Sequence, residues 1–99
     1  MTEALDDTGR AALHDAGWQP VPGRDALSKT YRFGTFSRAF GWMARAALEA
    51  EKLNHHPEWE NVWDRVSVTL TTHDTGGLST LDARLARRMD ALARECGGT

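Results

Sequence analysis

Three histidines are the residues of this chain best suited to chemistry. His55 and His56 are adjacent, and His73 directly follows the second of two short strand patterns. Histidine has an unperturbed pKa near neutrality, so it is the usual carrier of protons in catalysis. Neighbours on a helix point about 100° apart, so the first two can share a cleft only where a helix ends. Pro57 predicts that end, and a returning strand would bring His73 beside them.

Other chemistries fit this pattern less well. Three imidazoles could bind zinc, but helical zinc sites favour His-x-x-x-His, which an adjacent pair does not supply. Cys96 is the only cysteine, it lies close to the C-terminus, and neither a Gly-x-Ser-x-Gly nor a phosphate-loop motif is present. We therefore expect no metal. The remaining alternative is that the histidines are surface residues at a helix end, the class to which His14 is assigned.

Composition limits the class of protein. A chain of 99 residues, 40% hydrophobic and 26% charged, predicts a single globular domain over residues 1–99. A net charge of −2 argues against a nucleic-acid partner, and no apolar run is long enough to cross a membrane. The acidic N-terminus is unlike a secretory signal. The lone cysteine allows no internal disulfide and fits a cytoplasmic location.

The first half of the chain reads as a helix and a hairpin. A helix is predicted from Thr2 or Asp6 to Ala16, with Asp6 as its N-cap and Gly17 at its end. Strands are predicted at 18–21 and 27–33, joined by the turn sequence at 22–25.

The central helix has the clearest periodicity. Ser37 is predicted to cap it, and it should stop at Asn54 or His55. Its second face, with Ala44 and Leu48, is also apolar, which indicates a partner surface. The face predicted to be buried is formed by Phe36, Phe40, Met43, Ala47 and Ala50.

The second half repeats the hairpin and adds a helix. Strands are predicted at 59–63 and 66–72, with Val66, Val68 and Leu70 facing the core. Ser79 and Asp82 form a capping box for a last helix, and residues 96–99 should fray. The four tryptophans are expected to pack in the core. The order α-β-β-α-β-β-α predicts an α+β fold, a four-stranded antiparallel sheet with three helices on one face.

Several segments resemble the pterin-4a-carbinolamine dehydratase family (4a-hydroxytetrahydrobiopterin dehydratases). The family signature places an acidic residue three positions before Asn or Asp, followed by His-His-Pro, and a Thr-His-acidic segment further on. Here Glu51–Pro57 and Thr72–Asp74 match it. Further matches are Gly17-Trp18, Thr30–Phe33, Phe36, Trp59, Val66–Thr71 and Gly77–Ser79.

The resemblance implies a hydro-lyase that dehydrates 4a-hydroxytetrahydropterin to quinonoid dihydropterin without a cofactor. It implies His55 and His73 as the acid/base pair and His56 as the third active-site histidine. It also implies a homodimer or homotetramer and a link to an aromatic amino-acid hydroxylase. Residues implied to line the substrate site are Glu51, Asn54, Trp59 (as a wall beside the pterin), Thr72 and Asp74.

Two departures and two alternatives accompany the resemblance. Many members have Asp at the position of Asn54 and Arg at the position of Leu81. Some relatives act instead as non-catalytic scaffolds, assembly chaperones or dimerisation cofactors of a transcription factor. Those without activity typically lack some of the histidines, whereas this chain has all three, which favours the enzyme. A non-catalytic pterin-binding protein is the third reading.

Overall fold

The computed structural model describes residues 2–99, and its helices and strands follow the predicted order. A short 3₁₀ turn, His73–Thr75, lies between the last strand and the last helix. The elements are α1 (Asp7–Asp15), β1 (Gln19–Pro20), β2 (Leu27–Arg32), α2 (Phe36–Leu53), β3 (Glu58–Val62), β4 (Arg65–Leu70) and α3 (Thr80–Glu95).

The four strands form one antiparallel sheet in the order β1-β2-β4-β3. Strand β4 alternates as predicted, with Val66, Val68 and Leu70 buried beneath the helices. On the opposite face, Ser67 lies opposite Thr30 in the register, and their hydroxyls are 3.1 Å apart. The α+β prediction is therefore confirmed, and β4 leads from the middle of the sheet to His73.

Helix α2 buries a face that shares only Ala50 with the one predicted. Its buried residues are Ala39, Trp42, Ala46 and Ala50. The prediction followed the bulkiest apolar residues, but Phe36 and Phe40 are 53% and 59% exposed. The alanines allow the helix to approach its neighbours closely, while the Trp42 indole fills the core and donates to the carbonyl of Met89 on α3 (3.0 Å).

The cap of α2 also differs from the prediction. Thr35, not Ser37, is the N-cap, and its Oγ1 accepts from the backbone N–H of Arg38 (3.1 Å). At the other end Asn54 has a left-handed backbone (φ 51°), a conformation that Asn tolerates better than most residues. The backbone N–H of His55 then bonds back to the carbonyl of Ala50 (3.0 Å). This turn ends the helix where predicted and directs the chain toward the cleft.

The last helix begins as predicted, but the segment that follows it does not behave as predicted. The capping box of Ser79 and Asp82 is present as predicted. The expectation that residues 96–99 fray is wrong, because Thr99 exchanges two backbone hydrogen bonds with Arg32 (3.0 and 3.1 Å). That pairing joins two segments remote in sequence, so no local pattern announces it.

The tryptophans divide between core and surface. Trp18 and Trp42 are completely buried, as expected, and Trp59 is partly buried against this core. Trp63 is 64% exposed, because it occupies the tight turn between β3 and β4 with a positive φ of 50°. Within residues 2–99, none of the helices combines the length and apolar character needed to cross a membrane.

Candidate active site

One cleft brings the three histidines together. Its volume is about 300 Å³, and it lies where the C-terminal end of α2, the segment after β4 and the first turn of α3 meet. This size suits a small heterocycle. The residues that line it are Asn54, His55, His56, Thr71, Thr72, His73, Asp74 and Leu81.

His55 is the buried member of the group. Its imidazole Nε2 lies 2.5 Å from Oδ1 of Asp82, which is completely buried in the first turn of α3. The other carboxylate oxygen, Oδ2, accepts from the Thr72 hydroxyl (2.7 Å) and from the backbone N–H of Ser79 (2.9 Å). Asp82 thus joins the cleft's inner wall to the cap of α3.

Every buried side-chain nitrogen and oxygen of this network has a partner. Because Thr72 gives its proton to Asp82, the Ser79 hydroxyl donates to Thr72 Oγ1 (2.7 Å) and accepts from the backbone N–H of Leu81 (3.2 Å). Among the described residues, no buried side-chain nitrogen or oxygen lacks a hydrogen bond. Satisfied buried networks of this kind hold their members in one arrangement.

The network determines which nitrogen of His55 is available for chemistry. Three donors converge on the Asp82 carboxylate, so it acts as the acceptor and Nε2 of His55 carries the shared proton. In the neutral imidazole the proton-accepting nitrogen is then Nδ1. His55 therefore combines a fixed ring with a defined basic atom.

His56 lies at the rim of the cleft. Its Nε2 is 2.7 Å from Oε1 of Glu51 on the last turn of α2, and both side chains are more than half exposed. An exposed pair of this kind adds little stability, but it restricts the ring. Glu51 is absent from the cleft lining and reaches the site through His56.

His73 begins the 3₁₀ turn on the other side of the cleft. Two backbone bonds between Thr72 and Gly77 (3.0 and 3.1 Å) close the loop that carries it. Asp74 follows in the same turn and is exposed. The loop is therefore anchored on both sides of the histidine, although the histidine itself is exposed.

Glu58 contributes charge near His73. Arg24 forms two hydrogen bonds to it (2.7 and 2.8 Å) and, with a smaller effect from His73, holds the pKa of Glu58 below its ordinary value. The hydrogen bonds from Arg24 therefore keep Glu58 ionised on this side of the cleft. Glu58 had no role in the sequence interpretation, where it lay just before the predicted strand at 59–63.

Trp59 does not line the cleft in the single chain. It pairs with Val68 in the sheet register and, like Val68, faces the helices, where its ring packs 6.1 Å from that of Trp42. Strand alternation thus turns Trp59 toward the core. The structure therefore places Trp59 outside the lining of the cleft that holds the three histidines.

Asp82 is the residue that sequence reasoning missed. The capping box identified its local role, but its partner His55 is 27 residues away in sequence. The available signal was an acidic residue in the first turn of a helix that follows the His73 segment and a glycine pair. Within residues 2–99, no three His, Cys, Asp or Glu side chains group in a way that could hold a metal ion.

Comparison with known proteins identifies the family. The model of the family described as pterin 4 alpha carbinolamine dehydratase matches residues 3–92. The chain belongs to this family. A relative from Jannaschia sp. (strain CCS1), provisionally named pterin-4-alpha-carbinolamine dehydratase, is 57% identical over 98 residues, covering 95% of this chain and 100% of the relative. The resemblance seen in the sequence is confirmed, and family membership classes the chain with hydro-lyase enzymes.

Two solved structures share the fold. A protein from Brucella melitensis, titled transcriptional coactivator/pterin dehydratase, is 48% identical with a TM-score of 0.84, covering 92% of this chain and 99% of that one. A pterin dehydratase-like protein, titled a RuBisCO assembly factor in the alpha-carboxysome, is 25% identical with a TM-score of 0.66. The match covers 77% of this chain and 88% of that protein's chain. Proteins titled as a pterin dehydratase and as an assembly factor therefore share this fold.

Proposed function

We propose that this chain dehydrates 4a-hydroxytetrahydropterin to quinonoid dihydropterin and water by histidine acid/base catalysis. The bond between carbon 4a and the hydroxyl oxygen breaks, and a proton from an acid makes the departing hydroxyl water. A base removes the proton on nitrogen 5, and the electron pair of that N–H bond forms the new double bond between nitrogen 5 and carbon 4a. No redox change is involved, so two imidazoles of opposite protonation are sufficient.

The observation that carries this proposal is the His55–Asp82 pair beside His73 on one cleft. The pair gives His55 a fixed ring and a defined proton-accepting nitrogen, and the buried carboxylate stabilises the imidazolium formed when that nitrogen takes a proton. His73, on the opposite segment, is the partner that faces the same space. We assign these two histidines to the acid/base steps.

Substrate binding falls to the rim. His56, held by Glu51, and the exposed Asn54 are placed to contact the polar edge of a flat heterocycle. Thr72 donates its hydroxyl proton to Asp82, so we assign it to holding Asp82 in place rather than to binding the substrate. Asp74 lines the cleft beside His73 and is the one carboxylate in that lining, suited to accept hydrogen bonds from the amino group of a pterin.

The proposed setting is tetrahydropterin recycling in the cytoplasm. There an aromatic amino-acid hydroxylase would release the carbinolamine that this chain consumes. The test is to generate 4a-hydroxytetrahydrobiopterin in solution and follow quinonoid dihydropterin by ultraviolet absorbance. Native protein should accelerate its appearance well above the spontaneous rate, and heat-denatured protein should not. Equal rates for both would refute the proposed activity.

We also propose that the chain works as a homodimer or homotetramer. Phe36, Phe40 and Leu48 are each more than half exposed on the outer side of α2, separate from the cleft. Three large apolar side chains on one helix favour burial against a second copy.

A non-catalytic scaffold is the second candidate. The same exposed face of α2 and the likeness to the protein titled a RuBisCO assembly factor favour it. The two functions separate in the dehydration assay: a scaffold would bind a partner through Phe36 and Phe40 and leave the spontaneous rate of dehydration unchanged.

A further inference from the structure

A basic groove continues from the cleft between α2 and α3. Its volume is about 400 Å³, and it is lined by four cations, one carboxylate and one leucine. These residues are Glu49, Lys52, Leu53, Arg84, Arg87 and Arg88. Such a concentration of positive charge contrasts with the net charge of −2 of the whole chain.

Most of this positive charge is not neutralised within the protein. Glu49 pairs with Arg88 (2.9 Å) and lies 3.9 Å from Lys52. Among the described residues, neither Arg84 nor Arg87 forms an ion pair. Arg84 also lies one helical turn from both Arg87 and Arg88, and like charges at these spacings destabilise a helix. The groove is thus suited to an anion that the chain itself does not supply.

Both walls of the groove are extensions of the cleft walls. On α2, Leu53 and Lys52 directly precede Asn54, which lines the cleft. On α3, Arg84 lies one turn beyond Leu81, which also lines the cleft, and residues at this spacing are neighbours on a helix surface. A ligand whose ring occupies the cleft can therefore extend a side chain into the groove.

We propose that the groove binds the anionic side chain of the pterin substrate, so that this chain prefers pterins whose side chain carries phosphate or carboxylate groups. This inference rests on the proposed function and specifies its substrate class. Guanidinium groups suit both anions, because their planar donors match phosphate and carboxylate oxygens. Leu81 and Leu53 provide apolar contact for the part of the side chain between ring and anion.

The test is a pair of binding measurements by quenching of pterin fluorescence at low salt. Neopterin and neopterin 3′-phosphate differ only in the phosphate group. We expect neopterin 3′-phosphate to bind about tenfold more tightly, since each exposed ion pair raises affinity by a factor of a few. Pteroylglutamate and its dimethyl ester make the same comparison for carboxylates. A preference for the anion in either pair supports the proposal and identifies the group.

Variants locate the effect. In Arg84→Gln/Arg87→Gln the affinity ratio should fall to about one, whereas Arg94→Gln, an exposed arginine in the last turn of the same helix, should keep the tenfold ratio. Thermal unfolding confirms that each variant is folded. Equal affinity for charged and neutral members of both pairs would overturn the inference and leave the proposed function standing. Failure of every pterin to bind would overturn both.

Discussion

Replacing Asp82 by Asn is the most informative single change in the cleft. The two side chains have nearly the same shape, but Asn has one acceptor oxygen where Asp82 has two. If that oxygen keeps the bonds from Thr72 and Ser79, the amide NH₂ must face Nε2 of His55. His55 then has to accept there, so its proton moves to Nδ1 and the basic nitrogen of the site is lost.

The expected losses follow from these contacts. Removing a correctly placed base lowers turnover by roughly 10²- to 10⁴-fold. One charge-assisted hydrogen bond in a buried site is worth about 1.5–3 kcal/mol, which for a chain of this size lowers Tm by about 10 °C. Asp82→Ala would in addition remove half of the capping box and take away the acceptor of the Thr72 hydroxyl proton, so the Asn variant is the one to make.

The matched control is Asp90→Asn. Asp90 is another largely buried carboxylate on α3, and it accepts hydrogen bonds from Trp18 (3.2 Å), Lys29 (2.8 Å) and Tyr31 (2.5 Å) away from the cleft. It should lose similar stability but keep wild-type turnover at a temperature where it is folded. The assays are ultraviolet-monitored dehydration, thermal unfolding, and ¹⁵N NMR of the His55 tautomer. Wild-type turnover in folded Asp82→Asn would refute the assigned role of the pair.

Four further outcomes are expected. His56→Ala should raise KM with less than a tenfold loss of turnover in steady-state assays, because its ring lies at the exposed rim; an unchanged KM would contradict this. Phe36→Ser/Phe40→Ser should shift sedimentation from an oligomer to a monomer at micromolar concentration, and a monomeric wild type would refute self-association. Arg10 and, more weakly, the N–H of Leu78 hold the pKa of Asp25 below its ordinary value. The stability that ionised Asp25 contributes is therefore complete above the unfolded pKa of about 4 and is lost as pH falls below it. Asp25→Asn should flatten the acid side of a plot of unfolding free energy against pH, and an unchanged acid side would contradict this role of the Arg10–Asp25 pair. Prolonged chelation should leave turnover intact, whereas a zinc-dependent site would lose it.

The sequence predicted those features that depend on short-range patterns. Alternation located β4, and the Ser79–Asp82 spacing located the start of α3, because strands and caps are decided by residues a few positions apart. The same holds for the end of α2, where Asn54 and Pro57 both oppose further helix.

Features that depend on distant segments were not predictable in the same way. The buried face of α2 is chosen by how closely α3 and β4 approach, so Ala39 and Ala46 are inside while Phe36 is outside. The pairing of Thr99 with Arg32 depends on the end of α3 returning to β2.

The site residues also divide into those that the sequence predicted and one that depends on the packing of distant segments. The resemblance supplied the three histidines, and the structure places all of them on one cleft. The carboxylate that fixes His55 became visible only when α3 was packed against the end of α2, since Asp82 already had a complete local explanation as a cap.

The central claim is that His55 and His73 together carry the dehydration. The direct measurement is the rate of quinonoid dihydropterin formation from 4a-hydroxytetrahydrobiopterin, corrected for the spontaneous rate, for wild type and for His55→Ala/His73→Ala. We predict clear acceleration by the wild type and a double variant that is folded but reduced to the spontaneous rate. A folded double variant with wild-type acceleration would contradict the account.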